Sequence, residues 1–368
     1  MKRTIALAFV VGLAAFGIYW GTARYFGHAT TPDVAYFNQL ADAFLHGRLY
    51  LATPANTHDL TLHAGKWYVP FPPLPALLML PWVAWQGVAS LNTVLFATIF
   101  GALNVTLIFL LLSALARRQW TQLSTVDNLW LTLLFALGCV HWYMATIGSV
   151  WFVAQICTVT FVALAVWLAI EGRAAWLVGL ALALALAARP NVLLTWPLLL
   201  GIAATHLAAD GRRPSWGALL RWAIASLIPL MLVLGALLLY NQARFGHPLD
   251  FGYLTENVAE ELAPNLRRYG QFNLHYLPKN VWAMWLAGPQ WDSERNFWRP
   301  DPEGMSLLLT TPALLYLARA RRRSWLVLGG WVAFGLLLIP LLLYYNTGWW
   351  QFGYRFSLDF MAPVLVLL

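Results

Sequence analysis

Residues 91–116 read LNTVLFATIFGALNVTLIFLLLSALA and run directly into Arg117-Arg118. The stretch holds no charged side chain. A hydrocarbon core about 30 Å thick is crossed by about 20 consecutive apolar residues in a helix, so this segment has the length and chemistry of a transmembrane helix, and the arginine pair marks its cytoplasmic end. Comparable apolar runs occur at 5–20, 129–146, 150–170, 174–188, 191–207, 218–240, 305–318, 325–344 and from about residue 356 onward. The expected fold is therefore an all-α polytopic membrane protein of about ten transmembrane helices, built as one domain over residues 1–368.

Composition supports this. The chain is 60% hydrophobic and only 10% charged, against about 25% charged residues in an ordinary soluble domain. Twenty-one tryptophans and fourteen tyrosines suit belts at the membrane interface. The net charge of +8 does not point to nucleic acid, because the basic residues sit in short loops between apolar runs. Cys139 and Cys157 both lie inside apolar runs, which argues against a disulfide framework. Lys2 and Arg3 precede the first apolar run without a small-x-small cleavage site before Tyr25, so that run reads as a retained helix and not as a signal peptide.

The basic residues alternate. Lys2/Arg3, Arg117/Arg118, Arg173, Arg212/Arg213 and Arg319/Arg321/Arg322/Arg323 all fall on one side if 73–89 does not cross the membrane and 174–207 forms two helices turning at Arg189-Pro190. The prolines at 73, 75 and 81 suit a re-entrant or interfacial helix in the first of these stretches. Positive-inside orientation then places the amino terminus in the cytoplasm and leaves two long polar segments, about 21–90 and 241–304, outside. The chain stops at Leu368 inside an apolar run, as a piece of a longer protein would.

The first outside segment carries most of the chemistry. In Asp33-Val-Ala-Tyr-Phe-Asn-Gln-Leu-Ala-Asp-Ala-Phe-Leu, residues Tyr36, Leu40 and Phe44 share a stripe, with Phe37 and Ala41 beside it. That spacing predicts an amphipathic interfacial helix, started by Thr31-Pro32 with Asp33 in its first turn. Gly47-Arg48-Leu49-Tyr50 and Gly65-Lys66-Trp67-Tyr68-Val69-Pro70-Phe71-Pro72-Pro73-Leu74 follow. His58, Asp59 and His63 have ligand chemistry, but their spacing matches no zinc pattern and reads as a solvated loop. Arg189 and His141 are ionisable groups at helix ends or turns, as suited to a buried hydrogen bond as to function.

This order of acid, amphipathic helix, Gly-Arg turn and proline pair resembles the first luminal loop of the GT-C glycosyltransferases, which take sugars from polyprenyl-phosphate donors and include protein mannosyltransferases and lipid A aminoarabinose transferases. Tyr240-Asn241-Gln242-Ala243-Arg244-Phe245-Gly246 with Pro248 and Gly252-Tyr253, and Gly353-Tyr354-Arg355-Phe356 with Asp359 and Pro363, are similar to later stretches of bacterial members. Two positions depart from the family pattern: Val34 stands where a second acid is usual, and Phe71-Pro72 where a lysine precedes the proline pair. The resemblance implies an inverting transfer on the periplasmic face of the bacterial inner membrane, with a lipid, glycan or protein as acceptor. It makes Asp33 the base and Arg355 the phosphate clamp, with Lys66, Arg48, Arg244 and Tyr354 as further donor-binding candidates. Some relatives use a divalent metal; none is assigned here. A transporter or flippase of lipid-linked sugars needs the same cations but no base and more often shows internal repeats, and none is found. A non-catalytic membrane scaffold would make the external charges incidental.

Overall fold

The computed structural model describes residues 2–208, 214–320 and 324–368; Arg212, Arg213, Arg321, Arg322 and Arg323 lie outside them. Helix α1 (Lys2–Tyr25) leads into a loop carrying α2 (Tyr36–Leu45), a hairpin of β1 (Thr61–His63) and β2 (Lys66–Tyr68), and α3 (Leu74–Gln86). The bundle continues through α4 (Thr93–Arg117), α5 (Thr125–Leu137), α6 (His141–Ala145), α7 (Val150–Ile170), α8 (Ala175–Leu186), α9 (Trp196–Leu207) and α10 (Trp216–Phe245). A mostly irregular region holds α11 (Ala263–Tyr269), α12 (Leu277–Val281), the hairpin β3 (Gln290–Asp292)–β4 (Phe297–Arg299) and α13 (Leu307–Thr310). Helices α14 (Trp325–Leu343) and α15 (Met361–Leu367) close the chain.

Among the described residues six helical segments are long and apolar enough to cross a membrane: α1, α4, α7, Pro190–Leu207, α10 and α14. The other four expected spans are shorter than expected. Residues 129–146 break at Gly138 into α5 and α6. Helix α8 has 12 residues, about 18 Å of rise. Residues 305–318 form one turn of α13 and then, after Pro312 withdraws a backbone donor, a 3-10 stretch Pro312–Arg319. The last run opens as a 3-10 turn, Arg355–Phe360, before α15. Helix α3 has 13 residues, also too few to cross.

Helix α2 begins at Tyr36 behind an uncapped Ala35, so Asp33 precedes the helix and is not in its first turn. The reason is a turn closed by Ala35 N–H on the Pro32 carbonyl, while the Val34 carbonyl accepts from Val150 N–H at the start of α7. The apolar stripe of α2 is filled by protein: Tyr36, Phe37, Leu40 and Ala41 are buried with Met79 and Val83 of α3 and Val150 and Val153 of α7.

Packing sorts the two ends of the bundle. Gly12 of α1 lies against Thr106 and Tyr19 against Gly101, so α1 and α4 run antiparallel and the Lys2 end meets the Arg117 end. Arg117 pairs with Glu171 at the end of α7, and Arg118 donates to the Glu171 carbonyl at 2.7 Å. The chain turns back at Arg189-Pro190, because His206 near the end of α9 returns to within 3.1 Å of the Ala169 and Ile170 carbonyls at the end of α7. The helices meet closely where glycine removes a side chain. A Cβ on Gly179 of α8 would run into the Ser226 carbonyl of α10, and Gly201 of α9 faces Gly329 of α14. Small residues let backbones approach in this way when lipid supplies no hydrophobic drive between helices.

At the opposite end the two long polar segments join. Thr61 Oγ1 donates to the Gly252 carbonyl at 2.8 Å, Thr61 bridges Glu256, and Asn257 N–H donates to the Leu60 carbonyl at 2.8 Å.

Candidate functional site

A cavity of about 210 Å³ lies where these two segments meet the ends of α7 and α14 and the Arg189 turn. Its charged lining is Asp59, Glu256, Arg189 and Arg355; Trp151, Tyr253, Tyr344 and Tyr345 supply aromatic walls, and Phe71-Pro72 form part of its edge.

The two arginines are held differently. Arg189 donates from Nη2 to Asp359 Oδ2 at 2.8 Å. Asp359 is buried and also accepts from Asn191 Nδ2 at 2.7 Å and Gln155 Nε2 at 3.1 Å. Its charge is thus met three times over, and it neutralises Arg189. Arg355 is only 6% exposed, yet no carboxylate among the described residues forms an ion pair with it. Its guanidinium lies 5.0 Å from the Phe356 ring and 5.4 Å from the Phe152 ring, and its Nε is buried without a partner. Its backbone is fixed by Gln351 Oε1, which accepts from Arg355 N–H at 2.9 Å, and by Gln155 Nε2, which donates to its carbonyl at 2.9 Å. A buried guanidinium that lines a cavity, with Asp59 near enough to act on it but no carboxylate in ion-pair contact, is a site for an anion.

The two acids also differ. Glu256 is 8% exposed and accepts from the Tyr345 hydroxyl at 3.2 Å. Burial, reinforced by the nearby Asp59 charge, pushes its pKa well above the usual carboxylate value. Asp59, with 15% of its side chain exposed, is also raised by burial, an upward shift that His58, Arg355 and a hydrogen bond from Trp151 offset only in part. Proton binding by the folded state beyond that of the unfolded chain makes stability fall with rising pH. For Glu256 the contribution is whole below its ordinary value near 4.5 and is lost as pH climbs toward the raised folded value. Glu256→Gln keeps an acceptor for Tyr345 and removes the titration. Thermal unfolding in detergent from about pH 5 to about pH 9 is expected to show a shallower loss of stability than in the unsubstituted protein. An unchanged slope would mean that Glu256 ionises freely in the fold.

The remaining candidates are spread apart. Asp33 is exposed, accepts from Asn56 Nδ2 at 2.9 Å and is not among the residues lining the cavity. Arg48 faces Asp42 at 3.8 Å, and exposed Lys66 lies over the Tyr50 ring at 4.5 Å. Arg244 is a strut: buried on the last turn of α10, it donates to the Val69 carbonyl at 2.6 Å and Asn241 Oδ1 at 2.7 Å and stacks on Tyr240 at 4.0 Å. Tyr354 is fully buried, its hydroxyl on the Leu341 carbonyl at 3.3 Å. His141 is a satisfied core residue between Tyr19 Oη at 3.2 Å and Asn104 Nδ2 at 3.1 Å.

The donor set does not fit a divalent metal. No group of three or more His, Cys, Asp or Glu among the described residues is placed to hold a metal ion, and His63 is turned against the rings of Phe245 and Tyr68. Asp59 and Glu256 carry too little sequence signal to be ranked as site residues. Asp59 is one of three acids in 21–90, with Asp33 and Asp42, and Glu256 is one of eight in 241–304. Only the pairing of the two segments selects them. Comparison of the chain with protein-family models, with curated proteins and with solved structures finds no match in any of the three.

Proposed function

We propose that the chain is a GT-C-type membrane glycosyltransferase that moves a sugar from a polyprenyl-phosphate donor to a lipid, glycan or protein acceptor, by a single inverting displacement. The observation that carries this reading is Arg355, a buried guanidinium without a carboxylate partner, lining a cavity that also holds two carboxyl groups. The reaction needs a cation where phosphate departs and a base where the acceptor hydroxyl loses its proton. A guanidinium fork fits phosphate oxygens in pairs, while Arg189 is already occupied by Asp359.

The cavity lies at the end of the bundle away from Arg117, Arg118 and Arg173. With the positive-inside rule this supports the reading that the chemistry faces the periplasm of a bacterial inner membrane, with the amino terminus cytoplasmic. Two measurements test the reading. The purified full chain is incubated with undecaprenyl phosphate carrying tritiated glucose, mannose or galactose and a membrane extract as acceptor source. Labelled product and free undecaprenyl phosphate are expected; donor that is bound or moved across vesicles without cleavage would favour a flippase instead. A single cysteine placed at Asn265 is expected to react with an impermeant maleimide from outside, and one at Arg319 to be shielded. The reverse pattern would place the cavity in the cytoplasm.

A further inference from the structure

On the sugar-transfer reading, we propose that Asp59 is the group that takes the acceptor's proton, and that Asp33 acts from outside the cavity by holding the Asp59 loop in place.

Asp59 shares the cavity with Arg355 and Glu256, and Asp33 does not. A base must reach the proton it removes, directly or through one water, so position decides first. The Asp59 backbone is held in the left-handed region at φ 57°, a conformation that aspartate and asparagine tolerate better than most residues. The loop is pinned from both sides. Asp59 N–H donates to the Asn257 carbonyl at 2.9 Å, and the Asn257 side chain donates to Thr57 at 3.1 Å. On the other side Asn56 reaches Asp33, the Asn56 Oδ1 accepts from His58 N–H at 2.8 Å, and the Tyr36 hydroxyl donates to the His58 carbonyl at 2.7 Å. Asp33 is therefore two hydrogen bonds from His58, the residue before Asp59, and is a positioning residue.

The pair of acids divides the labour. Two nearby carboxyls in unlike surroundings separate into a protonated and an ionised member. Glu256 meets the Tyr345 hydroxyl and no cation, and it keeps its proton. Burial raises Asp59 too, but it stands 3.7 Å from His58 and feels the charge of Arg355, cations that Glu256 lacks, so of the two it is the member that ionises first. In the transfer, the acceptor hydroxyl oxygen bonds to the anomeric carbon and the bond from that carbon to the phosphate oxygen breaks. The electron pair stays on polyprenyl phosphate against Arg355, and the acceptor's proton passes to Asp59. His58, whose side chain is 45% exposed, then offers the proton a route to solvent.

The test uses the full chain in nanodiscs with the three tritiated undecaprenyl-phosphate hexoses, reading donor binding by tryptophan quenching and turnover by release of undecaprenyl phosphate. Asp59→Asn keeps the left-handed backbone accessible and is expected to lower turnover by about 10²–10⁴-fold. Donor affinity should be kept or raised, because a negative charge beside the phosphate site is gone; that binding also reports an intact fold. Asp33→Asn retains an oxygen for the Asn56 amide and is expected to lose about fivefold, while Asp33→Ala, which cuts the tether, loses more. Full turnover by Asp59→Asn, or a loss in Asp33→Asn as deep as in Asp59→Asn, would overturn the assignment and leave sugar transfer standing. Loss of donor affinity together with turnover in Asp59→Asn would make Asp59 a structural residue and overturn it as well. Failure of the unsubstituted chain to bind or cleave any of the three donors would instead bring down the sugar-transfer reading, and this assignment with it.

Discussion

Arg355→Ala is expected to lower sugar transfer by about 10²–10³-fold, the range found when a preorganised donor to a developing oxyanion is removed. On the proposed function the loss should fall on donor affinity as well as turnover, because the guanidinium would face the departing phosphate in both the ground and transition states. The local backbone should survive, since Gln351 and Gln155 hold residue 355 through its N–H and carbonyl and not through its side chain. Arg355→Lys keeps a charge but loses the paired donors, so it should recover part of the affinity. Donor titrations of KM and kcat for the two variants measure this. Equal activity in Arg355→Ala and the unsubstituted protein would remove the phosphate clamp and, with it, the observation on which the proposed function rests.

The second large effect concerns stability. Asp359→Leu is expected to destabilise the protein by about 3–5 kcal/mol, the cost of leaving a buried charge without its partner. Asp359 is 1% exposed and is the shared acceptor for Arg189, Asn191 and Gln155. Its loss strands three donors at the wall of the cavity. Asp359→Asn keeps one acceptor oxygen and should lose less. Removing both charges, in Arg189→Met with Asp359→Leu, should restore much of the stability, since an apolar pair of similar volume often matches a buried ion pair. Thermal unfolding in detergent of the unsubstituted protein, Arg189→Met, Asp359→Leu and the double variant gives the coupling directly. Additive losses in the double variant would show that the two charges do not depend on each other.

How much of the site was legible in advance differs by residue. Arg189 stands out in the sequence as an ionisable group at a turn between apolar runs, where a charge is expensive and calls for an explanation, whereas Arg355 stands out only through the motif resemblance. Asp33 stands out by its place before an amphipathic stripe, but an acid near a helix start has the same signature whether it reacts, caps or tethers. Here Asp33 binds Asn56 ahead of the helix. Arg244, a donor-binding candidate on the resemblance, spends its donors on Val69 and Asn241.

The sequence by itself determined that the chain is apolar enough for membrane helices, that its basic residues recur between the runs, and that two long polar segments interrupt them. These are local properties, since hydropathy and charge act over a single segment. The structure decided that, among the described residues, six of the expected helical segments have crossing length, with the others interrupted, as at Gly138 and Pro312. It also decided which acids meet which cations. Arg189 and Asp359 are 170 residues apart, and Thr61 meets Gly252 across 191. Asp59 and Glu256 become a pair only because that junction forms. A carboxyl group's chemistry is set by the charges and water around it, and in this protein those neighbours come from distant parts of the chain.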